Sequence, residues 1–492
     1  MKLNLLIKTI VGIAAFAMVI VLLIKVIAEP LIERRIQAAL TEKSGDYLIT
    51  IERVQVAILH SEVEFENINL LLKSENEEQP GLSGEIEILR VKGIHMIKAL
   101  FRKELDITTI EIHNSSLRGV FPFPEKTRPV GIAPINITIE NLLFNKLIVD
   151  LKDASTSQSY LMSDAVLKMY DIRCGKNDTL STGIIGQFDF DVPEFKTVTS
   201  DSLYTFIAEG ISYSASINIL TADNLAIQPN YTEYGFTARN QFETDRIDGR
   251  LSQIAIHDFS AEDLIKAGNL TSSFIEIGAM ELSLFRDKHK EFRHIDKPTF
   301  QDLIYDYPGN LNIDSLRIRS GNIDISQRAE EAVEKGSIRF NEIDATIYKI
   351  SNDTIYKTEK GYLELNVNGL LMDKGRLTVL LKARIYDRDN TFTVNGGLSG
   401  MEASALNHLL EKSAFITINS GIINKLNFSF SANNTKATGT LMLLYQGLNV
   451  AVINKKSGKS TGIIAWVKSL VANIIMIESN PDRKSTRLNS SH

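Results

Sequence analysis

Two histidines and a lysine-containing segment are the first residues of this chain whose types could do chemistry. His289 and His294 lie five residues apart in the segment DKHKEFRH, and no cysteine is near them. Two metal ligands on one face of a helix need a spacing of three or four residues. We therefore interpret this segment as a charged loop exposed to solvent, and we assign no metal ligand and no cofactor-binding residue in the chain.

The segment SGKST, from Ser457 to Thr461, resembles the end of a phosphate-binding P-loop. The complete motif requires a glycine five residues before Gly458, and this chain has Ile453 at that position. Without that glycine, the turn that cradles a phosphate is not supported. We therefore predict a glycine-containing loop and no nucleotide site.

The composition limits the classes of function. The chain has 492 residues and a formal net charge of −6, which argues against nucleic-acid binding because such proteins usually carry a basic surface. Cys174 is the single cysteine, so an intrachain disulfide is excluded. The fold must be held by burial and hydrogen bonds.

The N-terminus predicts a membrane anchor over residues 1–28. The sixteen residues from Thr9 to Ile24 carry no charge, and the flanking Lys8 and Lys25 have side chains that can reach the membrane surface. The apolar span therefore extends from about Leu5 to Ala28, which is enough for a transmembrane helix.

Charges around the span mildly favour a cytoplasmic N-terminus, because Lys2 and Lys8 precede it and Glu29 follows it closely. A cleaved signal peptide ending at Ala28 is the alternative, and either reading exports the body of the protein. Residues 29–45 have apolar residues at helical spacing and predict an amphipathic linker helix that ends near Gly45.

From Leu48 onward the apolar residues alternate with polar ones, which is typical of half-buried strands. Helical patterns are few, near 31–44, 95–103, 260–267, 402–412 and 461–477, and too few for the crossovers of a βαβ sheet. The predicted fold class is mainly β: an N-terminal transmembrane helix followed by an elongated, internally duplicated antiparallel sheet, with a groove or stacked sandwiches as its architecture and a few short helices.

The body contains an internal repeat, with copies at 84–192 and 249–367. The segment GEIEILRVKGI at Gly84 aligns with GRLSQIAIHDF at Gly249, an offset of 165 that also aligns residues 110–112 with 275–277. The offset becomes 174 for Ile137, Ile139, Leu142, Phe144, Val149 and Leu151, which align with Leu311, Ile313, Leu316, Ile318, Ile323 and Ile325. It is 175 where GQFDFDV at Gly186 aligns with GYLELNV at Gly361, and where residues 177–179 align with 352–354.

Polar residues with catalytic potential are not shared between the copies. His95 and His113 align with Ser260 and Gly278.

Asp189 and Asp191 align with Glu364 and Asn366, which fits a solvated strand face better than an acid–base pair. The sequence also contains neither a GxSxG nor an HExxH motif. We predict that the protein is not an enzyme, with no catalytic residue. Asn136 and Asn269 begin Asn-x-Thr triplets that we interpret as chance sequences near turns.

The predicted domains are completed by a first β-rich region at 46–248, a second at 249–400 and a C-terminal β/helix region at 401–481. The apolar segment Ile463–Ile477 predicts a helix that docks on the core, or alternatively lies on a membrane or caps a groove. Residues 482–492, DRKSTRLNSSH, resemble the translation of a common sequencing-library adapter, so we expect them to be an artefact and the native C-terminus to be missing.

A repeated strand module produces a long sheet whose apolar face needs a cover. A second sheet would bury it in a sandwich, and lipid acyl chains would fill it as a groove. Both possibilities are open from the alternation pattern alone.

The chain resembles the bacterial AsmA-like family, which is related to TamB and other bridge-type lipid-transfer proteins. The resemblance lies in the anchor with its amphipathic helix, in the module GEIEILRVKGIHMIKALFRKELDITTIEIHNSSLRG, and in the stretch from Gly421 to Val452. It implies a single-pass protein of the cell inner membrane whose periplasmic body binds or conveys phospholipid for outer-membrane biogenesis or maintenance. The expected partners are phospholipid acyl chains, the inner membrane and other cell-envelope proteins. The alternative is a non-catalytic scaffold that binds partner proteins in the envelope.

Overall fold

The computed structural model describes residues 30–31, 33–34, 47–72, 81–95, 104–121, 136–174, 186–293, 297–357, 361–453 and 460–461. The predicted membrane span, most of the linker helix, the helix predicted at 95–103 and the segment 463–477 lie outside these residues, as do His294 and the adapter-like tail. Pro30, Leu31, Glu33 and Arg34 are helical. Among the described residues, no helix combines the length and apolar character that crossing a membrane requires.

The described residues are mainly β, as the alternation predicts, with few and short helices. The chain divides into two compact units, residues 1–202 with 208–216 and residues 203–207 with 217–492. The strands of the first unit are β1 (Tyr47–Ala57), β2 (Glu62–Leu72), β3 (Leu82–Lys92), β4 (Glu104–Phe121), β5 (Asn136–Asp153), β6 (Ser159–Cys174) and β7 (Gln187–Val198). Strand β8 (Tyr204–Ser214) contributes residues to both units.

The described residues of the second unit form eleven further strands and four α-helices. Its strands are β9 (Ile219–Pro229), β10 (Arg246–His257), β11 (Leu270–Asp287), β12 (Leu311–Arg328), β13 (Gly336–Ser351), β14 (Leu363–Leu371), β15 (Gly375–Ala383), β16 (Phe392–Glu402), β17 (Ile416–Ala432), β18 (Ala437–Ile453) and β19 (Ser460–Thr461). Its helices are α1 (Glu233–Arg239), α2 (Ala261–Ala267), α3 (Phe300–Tyr305) and α4 (Asn407–Ser413).

Within each unit the strands pair in sequence order, β1 to β7 in the first and β9 to β19 in the second. The prediction of a wholly antiparallel sheet is wrong at two places, because β4–β5 and β11–β12 are parallel pairs. The physical reason is the length of the connections, residues 122–135 and 288–310. Parallel neighbours need a connection of a dozen or more residues, whereas hairpins need only a few.

The two parallel pairs occupy matching places in two five-strand sets, β3–β7 and β10–β14. In β3–β4, Gly84 pairs with Leu117, and in β10–β11 Gly249 pairs with Leu282, so both residues shift by 165. In the parallel pairs Leu117 pairs with Val149 and Leu282 pairs with Ile323, so equivalent residues are paired again, now with an offset of 174 for the partner. The two sets therefore share strand order, strand direction and register.

Local irregularities of the strands recur as well. Asp164 and Asp171 in β6 have φ angles of 50° and 53°, and Glu342 and Lys349, each 178 residues later in β13, have 51° and 60°. Non-glycine residues rarely adopt this left-handed region, and here each interrupts the regular side-chain alternation of its strand.

The alignment of the last strand of the set was wrong by two residues. Val166 of β6 and Asp344 of β13 are equivalent residues, since β6 and β13 are related by 178 positions. Val166 pairs with Asp191 and Asp344 pairs with Asn368, so the strand pairing aligns β7 with β14 at an offset of 177. A two-residue slip keeps every side chain on the same face, so the apolar alternation could not reveal it.

Helices α1, α2 and α3 begin at side-chain caps. Ser260 accepts a hydrogen bond from the N–H of Asp263 at the start of α2, and Gly268 ends that helix with a φ of 68°, so the helix predicted at 260–267 is confirmed. Thr299 and Asp302 form a capping box at α3. The helix predicted at 402–412 is confirmed as a 3₁₀ turn, Ala403–Leu406, followed by α4.

Candidate functional site: an apolar face on each unit's sheet

The first unit presents two unbroken apolar rows that cross all seven of its paired strands. Residues directly opposite each other on neighbouring strands share a face, so each row is a chain of such pairs. The first row consists of Val54, Phe65, Leu89, Ile112, Phe144, Leu167 and Phe190. The second consists of Val56, Val63, Val91, Ile110, Leu142, Met169 and Phe188.

The second unit has equivalent rows across ten strands, β9 to β18. We call them row A and row B. Row A consists of Ala222, Ile254, Ile277, Ile318, Ala345, Val367, Val379, Gly396, Phe428 and Leu441. Row B consists of Leu220, Ile256, Ile275, Leu316, Ile347, Leu365, Leu381, Val394, Phe430 and Gly439. Neither row contains a polar side chain.

The opposite face of each sheet is polar and carries ion pairs between neighbouring strands. In the first unit Arg90 pairs with Glu64, and Lys92 lies 2.9 Å from Glu111. In the second unit the Nζ of Lys382 lies 3.0 Å from Glu364. These partially exposed pairs contribute little to stability, but they mark the face that prefers water.

Hydrogen bonds and ion pairs hold these carboxylates in their charged form. The amide of Asn366 and the ammonium of Lys382 lower the pKa of Glu364 below its usual range. The hydrogen bond from Lys92 lowers the pKa of Glu111 in the same way. Glu364 and Glu111, which lie on the face opposite the apolar rows, therefore stay charged near neutral pH.

Much of the apolar face is only half-buried. In row B, Ile347, Leu365, Leu381 and Phe430 all keep part of their surface accessible, and Leu441 in row A is 67% exposed. Within the described part of each unit, no second sheet stacks on these rows. A sandwich does not account for the apolar face of either unit as far as the structure describes it.

One end of the apolar face in the second unit is covered. There the residues Met372, Leu398, Met401, Ala403, Ile418 and Ile423 form a buried cluster. Leu406 and Leu410, from the 3₁₀ turn and α4, pack against it. The apolar face is therefore a closed core at this end and a partly open surface along rows A and B.

Aromatic side chains concentrate on the same faces. Phe188 and Phe190 of β7 contact Tyr213, with ring centroids 5.7 and 5.5 Å from it. Phe428 and Phe430 of β17 lie side by side at 6.5 Å. Flat rings of this kind offer contact area without charge, which suits an apolar ligand.

The described histidines that were considered from the sequence, His95, His113 and His289, do not belong to these rows. His289 is engaged by Asp287, which accepts from its backbone N–H at 3.0 Å and lies 2.8 Å from its Nδ1. Burial of the Asp287 carboxyl opposes ionisation, but the bonds from His289 and the charge of Arg328 hold its pKa below the usual range. His113 in β4 lies 3.6 Å from Glu111, and His95 follows β3.

The remaining sequence candidates have structural surroundings. The carboxylate of Asp189 accepts from the N–H of Ala215 at 2.9 Å and from the hydroxyl of Tyr170 at 3.3 Å. Asn136 begins β5, and Asn269 accepts from a backbone N–H just before β11.

The P-loop-like segment also has a place in the sheet. Its last residues, Ser460 and Thr461, form β19 against β18, so the predicted helix does not begin at Thr461. No group of three or more potential ligand side chains that could hold a metal occurs among the described residues.

No protein-family model and no curated protein matches this chain.

Proposed function

We propose that this chain is a non-catalytic, inner-membrane-anchored protein of the AsmA-like type, whose periplasmic sheets bind or convey phospholipid along their apolar faces. The observation that carries the proposal is the pair of unbroken apolar rows across ten strands of the second unit, opposite a polar face. Phospholipid is a ligand with long apolar chains and a polar head, so it matches a surface whose apolar strip runs beside solvent.

The energetic argument favours an apolar ligand. Removing apolar surface from water stabilises a complex by about 25 cal/mol per Å², or about 0.8 kcal/mol for each buried CH₂ group. At about 4.8 Å between strands, row A extends for about 43 Å along the sheet. Acyl chains on such a strip have many methylene contacts, while the half-buried side chains of the free protein still face water.

The shared register of β3–β7 and β10–β14 supports an internal duplication of a five-strand module. Repetition of a module extends one surface without changing its character, which suits a binding surface for a long, chemically uniform ligand. Repetition of a surface is of less use to an enzyme, which needs one specific arrangement of catalytic side chains. The anchor at residues 1–28 and the envelope location remain predictions from the sequence.

The test is lipid mass spectrometry of the full chain, expressed in a double-membraned bacterium and purified in mild detergent. Two adjacent leucines of β15 offer a matched pair of variants. Leu381 lies in row B, whereas Leu380 pairs with Asn366 and Asn395 on the polar face. We expect phospholipid to copurify with the native protein and with Leu380→Glu, and to be lost at least several-fold in Leu381→Glu.

The result separates lipid binding from a scaffold role. A folded native chain that carries no phospholipid would contradict the proposal and favour a scaffold that binds partner proteins. Equal lipid content in the two glutamate variants would show that the bound lipid belongs to the detergent micelle or the anchor and not to the apolar face.

A further inference from the structure

Helix α4 is tied at both of its ends to different strands of the second unit. At its start, the side-chain amide of Asn407 accepts from the N–H of Ile418 at 2.8 Å and donates to its carbonyl at 2.9 Å. This pair of bonds occupies the backbone of β17 in the way a neighbouring strand would. At its end, Lys412 pairs with Glu334 at 2.6 Å, just before β13 begins.

The far end of α4 also fits closely against β13. A Cβ on Gly336, the first residue of β13, would lie 2.9 Å from the carbonyl oxygen of Leu409. This approach leaves room only for glycine, so helix and strand are in direct contact. Helix α4 therefore reaches from β17 to β13 and covers the end of the strands between them.

Apolar side chains of the 3₁₀ turn and α4 pack directly on the apolar face of the sheet. Leu406 and Leu410 pack on the buried cluster that contains Leu398 and Met401 of β16. Leu398 lies four residues from Val394 of row B, or about 13 Å along the strand. The apolar face is thus half-buried at row B, but at Leu398 it is covered by side chains of the protein itself.

We propose that α4 is a stop along the strand direction, which bounds the width of the lipid-binding strip of the second unit at the layer of Leu398 and Met401. Acyl chains lie on rows A and B and do not pass beneath α4 to Ile418 and Val450. This inference rests on the proposed function and restricts it, because lipid in this unit is held on one side of a fixed barrier. In this unit the strip therefore has a closed side over β13 to β17 and does not extend along the full length of those strands.

The test is photolabelling of the full chain in mild detergent with phosphatidylethanolamine that bears a diazirine at the end of one acyl chain. Labelled residues are mapped by peptide mass spectrometry. We expect labelling on Leu365, Leu381 and Phe430, and at least tenfold less on Ile418 and Val450.

Two variants test whether α4 itself is the barrier. The double variant Leu406→Ser with Leu410→Ser removes the leucines of the 3₁₀ turn and of α4 that pack on the buried cluster, and we expect labelling at Ile418 and Val450 to rise at least fivefold. His408→Ser alters the exposed side of α4 and serves as the matched control, with a labelling map equal to that of the native chain.

The outcomes distinguish this inference from the function on which it rests. Equal labelling on both sides of α4 in the native chain overturns the stop but leaves lipid binding intact. The native map decides this point even if the double variant does not fold. An unchanged map in a folded double variant also overturns the stop. An absence of label from rows A and B overturns the proposed function itself.

Discussion

Replacing Leu398 by alanine should destabilise the covered end of the second unit far more than the same change at Leu441. Both leucines lie on the apolar face, but Leu398 is 6% exposed within the buried cluster, whereas Leu441 is 67% exposed. The comparison therefore tests directly whether the apolar face of the second unit is a closed core around Leu398 and an open surface along row A.

The expected magnitudes follow from these environments. A buried leucine-to-alanine change costs about 2–5 kcal/mol, because apolar contacts are lost and a cavity remains. An exposed substitution usually changes stability by about 0.5 kcal/mol or less. Since 1.4 kcal/mol corresponds to a factor of ten, the opening equilibrium at Leu398 should rise about 30-fold or more, against about twofold at Leu441.

Hydrogen exchange of β16 and β17 amides in lipid-depleted protein measures these opening equilibria strand by strand. We expect Leu398→Ala to accelerate exchange in both strands, and Leu441→Ala to leave the rates nearly unchanged. Similar acceleration by the two variants would refute the reasoning, because it would mean that Leu441 is covered in the protein and that the strip along row A is not open.

Three further predictions concern charge and backbone geometry. The hydrogen bond from Arg286 lowers the pKa of Asp245, so the contribution of this carboxylate to folding stability is present above about pH 4 and is lost as the pH falls through the depressed pKa. Asp245→Asn should therefore flatten the acid side of the profile of melting temperature against pH. A profile equal to that of the native chain would contradict this. Arg317→Ala should leave the midpoint of chemical denaturation nearly unchanged, because its pair with Asp344 is roughly half exposed. A marked shift of that midpoint would indicate a role beyond the ion pair. Gly421→Ala should destabilise β17 and β18 by about 1–3 kcal/mol, since φ is 137° and a Cβ would lie 2.9 Å from a backbone carbon of β18; native exchange rates in those strands would disprove the strain.

The alternation of apolar residues was sufficient to predict the strands and which residues share a face. Leu89 and Val91 lie two residues apart, as the alternation of a strand requires of residues on one face, and each pairs with an apolar residue of β2. This works because the side-chain period of a strand is two and the buried face tolerates few exceptions. The short helix α2 was also predictable, because Ser260 and Gly268 are strong start and stop residues.

Other features were missed for identifiable reasons. Helix α3 has six residues, which is too short to show a helical period, although the capping pair Thr299 and Asp302 was a usable signal. The parallel pairs were missed because alternation is the same for either strand direction. The long connection at 288–310 was the available clue. The cover formed by α4 depends on contacts between residues that are far apart in the chain, such as Lys412 and Glu334 at a separation of 78 positions, which no local pattern encodes.

The matching registers of the two five-strand sets have a consequence for how such a surface can grow. Leu89 and Ile254 occupy equivalent places at an offset of 165, Val149 and Ile323 at 174, and Met162 and Phe340 at 178. The added residues fall in the connections, while β4, β5 and β6 have the same lengths and registers as β11, β12 and β13. The length of these strands limits the width of the strip, and the number of five-strand sets determines its length. Each further five-strand set would add about 24 Å of apolar strip, so this architecture changes its reach in discrete steps.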